Sequence, residues 1–255
     1  LHLSLRRQRQ MCIRDRTILT LITCLCIVIG CWRYIFSADK NNDSITDTQS
    51  VDAFHTLMAD TNVMDVIVTT GDTYSVSYTC KSNLTPEIIQ KNDKLTIKQT
   101  KKSGFNWFFG GLSSSHNCEV TITVPAGEIL DLLTIDSSVG DVQIADITAK
   151  NAEFDLSVGD IKIVRSNIDD CKFDCSTGDV ELTSTTFASL DADISVGDVK
   201  ISSDIDLDDY AFDIHTSVGD VKINGKNEGS SYSSKGDSNK KIKIDGSTGD
   251  VKIDY

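Results

Sequence analysis

Between Leu133 and Tyr255 one phrase recurs six times and limits what this chain can fold into. The copies are Ser137–Ile144, Leu156–Ile163, Cys175–Leu182, Ile194–Ile201, Thr216–Ile223 and Gly246–Ile253, and the second reads Leu-Ser-Val-Gly-Asp-Ile-Lys-Ile. Their glycines stand at 140, 159, 178, 197, 219 and 249, so the spacing is 19 three times, then 22, then 30. Self-similarity at a fixed short period marks a repeat architecture. Within each copy, apolar residues alternate with polar ones on both sides of the Gly, as in Phe154/Leu156 and Ile161/Ile163. Period-two alternation gives strands with one buried face. The Gly shifts that alternation by one residue, which fits a bend needing a special backbone conformation.

Each copy is therefore strand, corner, strand. Equal intervals favour stacking over a hairpin meander, because stacking lays Gly on Gly and Ile on Ile. The expected fold is all-β, a single-stranded β-helix or β-solenoid with rungs of about 19 residues over 133–255. Residues 53–132 carry shorter alternating runs, Val63–Val68, Tyr74–Cys80, Lys94–Thr100 and Cys118–Val124. They form the N-terminal β-rich part, with Gly71-Asp72 as a degenerate copy of the corner. Between the fifth and sixth copies, Asn224–Lys241 holds one aromatic and no aliphatic residue and is expected as a polar loop thrown out while the flanking rungs still stack.

Ahead of the β-rich part, Thr17–Trp32 holds no charge, and Tyr34, Ile35 and Phe36 extend its apolar length to residues 17–36. That span suits a transmembrane helix with an aromatic belt. A lipoprotein signal ending at Val28-Ile29-Gly30-Cys31 and a cleaved secretory signal also fit. All three export the β-rich remainder of the chain, and the anchor makes it a single-pass protein of the cell membrane with its C-terminal domain extracytoplasmic. Residues 1–16, with Met11-Cys12-Ile13-Arg14-Asp15-Arg16, resemble translated adapter sequence and are expected to be a foreign extension. The polar stretch 37–52 is expected as a tether.

A formal charge of −13 argues against nucleic-acid partners, which call for basic stripes. The eight cysteines do not form a disulfide framework. Cys171 and Cys175 share an inward strand face and are expected as small core residues, while Cys80 and Cys118 could pair.

Two outward carboxylate ladders are the sharpest candidate site. Asp136, Asp155, Asp174, Asp193 and Asp245, with His215 in the remaining copy, stand four residues before the Gly. Asp141, Asp160, Asp179, Asp198, Asp220 and Asp250 follow it directly. Clustered carboxylates and serine hydroxyls suit Ca²⁺; alternatively the aspartates cap the bend by bonding nearby amides, and their uniform repetition favours that role. Lys162, Lys200, Lys222 and Lys252 are placed to relieve the repulsion. Phe105, Trp107, Phe108 and Phe109, between glycines in Gly104–Ser115, are candidates for a contact loop or a cover over an open core end. No catalytic constellation emerges, since His55, His116 and His215 lie far apart in sequence and no nucleophile or phosphate-loop motif is present.

The order of these features resembles one family. An apolar N-terminal segment precedes Val66–Asp72, then Lys94-Leu95-Thr96-Ile97, then Val120–Pro125, then serial Ser-x-Gly-Asp-Val-x-Ile copies. This is similar to the bacterial family of proposed adhesins catalogued as domain of unknown function 4097. The resemblance, over about residues 53–255, implies a β-helical envelope protein and no established catalytic residues. The expected function is non-enzymatic: adhesin-like surface interaction with envelope proteins or cell-surface glycans, or a role beside envelope-stress signalling. A carbohydrate-active β-helix enzyme is the alternative, and it would need one rung with a unique acid/base pair.

Overall fold

The computed structural model describes residues 44–82, 84–99 and 118–255. The expected anchor over 17–36, the extension 1–16 and the aromatic residues 105–109 lie outside them. Among the described residues the regular structure is β-strand throughout, and no helix there is long and apolar enough to cross a membrane.

The chain opens with β1 (Ser44–Ser50), β2 (Thr56–Val63), β3 (Asp65–Gly71) and β4 (Ser75–Lys81). Next come β5 (Glu87–Lys91), β6 (Lys94–Lys98) and β7 (Glu119–Pro125). Each repeat then supplies a longer strand and a shorter one. The first four are β8 (Ile129–Val139) with β9 (Val142–Ala145), β10 (Thr148–Val158) with β11 (Ile161–Val164), β12 (Asn167–Thr177) with β13 (Val180–Thr183), and β14 (Ser189–Val196) with β15 (Val199–Ser202). The fifth is β16 (Tyr210–Val218) with β17 (Val221–Ile223). After β18 (Lys226–Gly229) and β19 (Ser231–Ser233), the sixth is β20 (Asp237–Thr248) with β21 (Val251–Asp254).

Long and short strands stack as two parallel sheets facing each other across one core. Phe154 lies beside Ile135 on one side and Phe173 on the other, and Ala192, Ile244 and Ile214 continue the line. The Phe154 and Phe173 rings stack with centroids 5.1 Å apart and planes 9° from parallel. Ala192 next to Phe173 leaves the second ring its space, an alternation of large and small that keeps the core filled. Cys171 and Cys175 are buried within it, where burial pushes both thiols up to about 12.

The corner glycines form one line, and close approach explains them. A Cβ on Gly178 would lie 1.9 Å from the carbonyl oxygen of Gly159, and its φ is +146°. No side chain fits that space or tolerates that backbone. In the preceding rung, β2–β3, the corner is instead Met64-Asp65: Val63 is in register with Val139 and Val66 with Val142. The expected degenerate copy, Gly71-Asp72, lies beyond the corner, where Gly71 ends β3 opposite Pro125.

The order of stacking differs from the order of sequence at both ends. The short-strand sheet runs β1-β4-β7-β3-β9-β11-β13-β15-β21-β17-β18, and the long-strand sheet runs β19-β16-β20-β14-β12-β10-β8-β2-β6-β5. The sixth rung therefore sits between the fourth and the fifth. The expected polar loop is not thrown out. Asn224 and Gly225, with φ of 49° and 76°, make a two-residue hairpin of the kind Asn-Gly favours. It turns β18 back antiparallel on β17, and β19 pairs antiparallel with β16. The 22-residue interval before Gly219 supplies the physical reason. Three extra residues let the chain climb two rung heights, about 9.6 Å, and leave a slot for the sixth rung.

The N-terminal end repeats the device. The rung β2–β3 lies between β6–β7 and β8–β9. Antiparallel β5 covers β6, and β4 covers β7. Ser44–Ser50, expected within the tether, is instead β1, antiparallel to β4. A polar strand pairs there because β4 offers an open row of backbone groups whatever the side-chain pattern, and exposed edges are commonly blunted in this way.

Candidate functional site: the carboxylate ladders and the corner face

The ladder four residues before the Gly is continuous in space. Asp136, Asp155, Asp174, Asp193 and Asp245 stand side by side, with His215 beyond Asp245. Asp60, which no copy of the repeated phrase contains, extends it beyond Asp136, and Lys98 closes that end. Neighbours are about 4.8 Å apart along the axis. Ion pairs occur at the ends, Lys98–Asp60 at 3.4 Å and Lys243–Asp245 at 3.0 Å. In between, partial desolvation and the charges of Asp155 and Asp60 hold the Asp136 carboxyl above the usual carboxylate range.

The ladder after the Gly does different work. Oδ1 of each aspartate accepts the backbone N–H of the aspartate in the neighbouring rung. Asp141 accepts from Asp160 at 3.0 Å, Asp160 from Asp179 at 2.8 Å, and Asp179 from Asp198 at 2.8 Å. The chain continues through Asp198 to Asp250 and from Asp250 to Asp220, both at 2.9 Å. Asp65 begins it by accepting from Asp141 at 2.9 Å. The bond runs between rungs rather than within one bend, so the expected cap is a cross-rung tie. Of the four lysines, Lys200 reaches Asp198 at 3.7 Å and Lys222 reaches Asp250 at 3.8 Å. Lys162 turns to Glu181 and Lys252 to Asp254, because those carboxylates lie nearer.

Between the ladders the corner presents exposed Ser157 and Val158, Ser176 and Thr177, and Ser195 and Val196. Among the described residues no group of three or more His, Cys, Asp or Glu is placed to hold a metal ion. Cys80 and Cys118 are both buried and not bonded to each other, and burial pushes the Cys118 thiol up to about 12.

A second polar cluster was not legible in the sequence. His55 Nδ1 lies 2.7 Å from Asp93 Oδ1, and Nε2 lies 3.9 Å from Glu128 Oε2. Lys150 pairs with Asp131 at 2.6 Å beside them. The connection before β2 and the turns after β5 and β7 bring His55, Asp93 and Glu128 together, and His55, Glu128, Asp131 and Lys150 line an open cleft of about 450 Å³. The hydrogen bond to Asp93, then the charges of Asp93, Asp131 and Glu128, hold the imidazole above its usual range against opposing desolvation.

The sequence matches the Toastrack DUF4097 family over residues 56–204 and again over 133–254. The chain belongs to that family. The overlapping matches together take in the residues from β2 to β21. No curated protein matches the sequence. Among solved structures, a proposed cell adhesion protein from Clostridium sporogenes is similar at 15% identity and a TM-score of 0.47, covering 83% of this chain and 99% of its own. A proposed adhesin from Bacteroides fragilis is similar at 16% identity and a TM-score of 0.45, covering 84% and 98%. A proposed lipid binding protein from Parabacteroides distasonis is similar at 16% identity and a TM-score of 0.30, covering 84% and 98%.

Proposed function

We propose that this Toastrack chain is a non-enzymatic surface-interaction protein of the bacterial cell envelope. The carrying observation is the periodic corner face, where Asp, Ser and a β-branched residue recur in register from rung to rung. A repeated surface makes many equal, weak contacts, which suits a repeating or extended partner by effective concentration. Catalysis instead rests on one positioned acid/base group. In this reading residues 17–36 are a single-pass anchor and residues 44–255 project outside the cytoplasm, with envelope proteins or cell-surface glycans as partners.

Two measurements test it. Protease added to intact protoplasts should degrade residues 44–255, and protection until lysis would refute the export. The purified chain should be retained on intact cells, and no retention at any salt concentration would refute the surface contact.

A further inference from the structure

We propose that Cys80 and Cys118 are a modification site, a dithiol that closes to a disulfide by exchange with an external disulfide and fastens the N-terminal end of the stack. β4 and β7 run antiparallel, with Tyr78 opposite Val120 and Thr79 opposite Glu119. One step further along that register Cys80 faces Cys118, and their thiols hydrogen-bond each other. The Cys118 carbonyl accepts the N–H of Asp65, on the β3 side, at 2.7 Å. A strand residue directs both backbone groups to one side, so this pair takes a non-hydrogen-bonded place of the β4–β7 ladder. Cα atoms at such a place stand about 4.5 Å apart, within the range of roughly 4.4–6.8 Å that a disulfide spans.

Its surroundings set this pair apart from the other described cysteines. Cys171 lies between Ala152 and Leu190, and Cys175 between Leu156 and Ile194, so neither meets a cysteine across the sheet. Along β12 the two stand about 13 Å apart, too far to bridge. Cys118 also faces a fixed donor, the buried side chain of Gln99. Gln99 Oε1 accepts the N–H groups of Asn62 and Val63 at 2.9 and 2.8 Å. Its Nε2 donates to the Leu84 carbonyl at 2.8 Å and to Cys118 Sγ at 3.6 Å. With the oxygen committed to two amides, the nitrogen must face the sulfur, where an N–H favours the thiolate. That bond opposes the burial that pushes the Cys118 thiol up to about 12.

The exchange balances in two steps. One cysteine thiolate attacks a sulfur of the external disulfide, whose S–S bond breaks and releases one thiol. The other cysteine then displaces the second. The Cys80–Cys118 bond forms, the pair loses two electrons, and the reagent leaves as two thiols carrying the two cysteine protons. Both cysteines are buried, so attack follows local opening at the end of β4 or precedes closure of this end during folding. The joined positions lie 38 residues apart and enclose β5 and β6. The bond therefore holds β4 on β7 and removes freedom from the unfolded chain. Disulfides persist outside the cytoplasm, so the linked form is the one expected there.

The test is a peptide map of the full-length chain in detergent after exposure to oxidised glutathione at mildly alkaline pH. One sample is treated folded, and a second is unfolded in urea and refolded in the same buffer. Each is quenched with acid, unfolded and alkylated. The Cys80 and Cys118 peptides should be recovered linked to each other in at least the refolded sample, with Cys171 and Cys175 as alkylated thiols, and dithiothreitol should release the link. The linked chain should melt about 5 °C or more above the reduced one, and Cys118→Ser should abolish that difference. Recovery of Cys80 and Cys118 as free thiols in both samples overturns the proposal. So does recovery of each as a separate glutathione adduct, or linked to another cysteine. A Cys80–Cys118 link that leaves the melting temperature unchanged overturns the fastening. The map of the unaltered chain decides the bond even where Cys118→Ser fails to fold.

Discussion

The carboxylate of Asp141 accepts the backbone N–H of Asp160 from the next rung at 3.0 Å. Repeated along the corner, this bond joins successive rungs through the one amide between Gly159 and Ile161, whose own N–H groups donate to the backbone carbonyls of Thr177 and Asp179. Replacing Asp160 by Ala should remove the acceptor for Asp179 and destabilise the fold by about 1–2 kcal/mol. Asn retains an acceptor oxygen and should recover most of the loss. Urea denaturation of the two variants checks this, and equal losses would show that the charge matters and the hydrogen bond does not.

The corner glycines should be the least replaceable positions on the surface. Gly178→Ala sets a methyl group against the Gly159 carbonyl and forces Ala to a φ of +146°, so a loss of about 3 kcal/mol or more is expected. Gly127 also has positive φ, at +90°, but open space around it, and Gly127→Ala should cost about 1 kcal/mol. Thermal melts of the pair separate close approach from backbone strain.

At the C-terminal end, removing residues 226–235 takes away β18 and β19, the antiparallel partners of β17 and β16. The deletion should lower the melting temperature and promote association through the bared edges. Size-exclusion chromatography with light scattering and a thermal melt measure both. A monomer of unchanged stability would mean that the excursion is a dispensable loop.

His55 should make stability depend mildly on pH. Its folded pKa is raised by Asp93 and the neighbouring carboxylates. The contribution is therefore fully present below the unfolded value, near pH 6.5, and is lost as pH rises through the folded one. Because the side chain is 42% exposed, the effect should stay below about 1 kcal/mol. The difference in melting temperature between the unaltered chain and His55→Gln should shrink as pH rises above about 6.5. A difference that grew instead would contradict the ion-pair assignment.

The repeat by itself determined the strand–corner–strand unit, the inward positions and the line of glycines. Phe154, Phe173 and Cys175 could be placed in the core from alternation, because a strand's side-chain period is two whatever surrounds it. The outward aspartates were equally legible, yet their division of labour was not. Which ladder bonds backbone amides depends on where an N–H is left outside the sheet pairing, as it is at Asp160 in the corner, whereas Asp155 lies within the paired strand β10. Asp65 was hidden because Met64, not Gly, precedes it. Asn224-Gly225 was a legible hairpin signal masked by the polar composition around it. His55, Asp93 and Glu128 meet only because three turns converge, which no local pattern encodes.

Rung order was the decision left to tertiary structure. Copies that share one phrase offer one another nearly the same edge, so strand pairing alone does not distinguish the order four-five-six from four-six-five. Linker lengths break that degeneracy: the 22-residue interval reaches two rungs along, and the hairpin at Asn224-Gly225 returns the chain to the gap. Covering the last edges with β18 and β19 then satisfies backbone groups that a simple helical order would leave open.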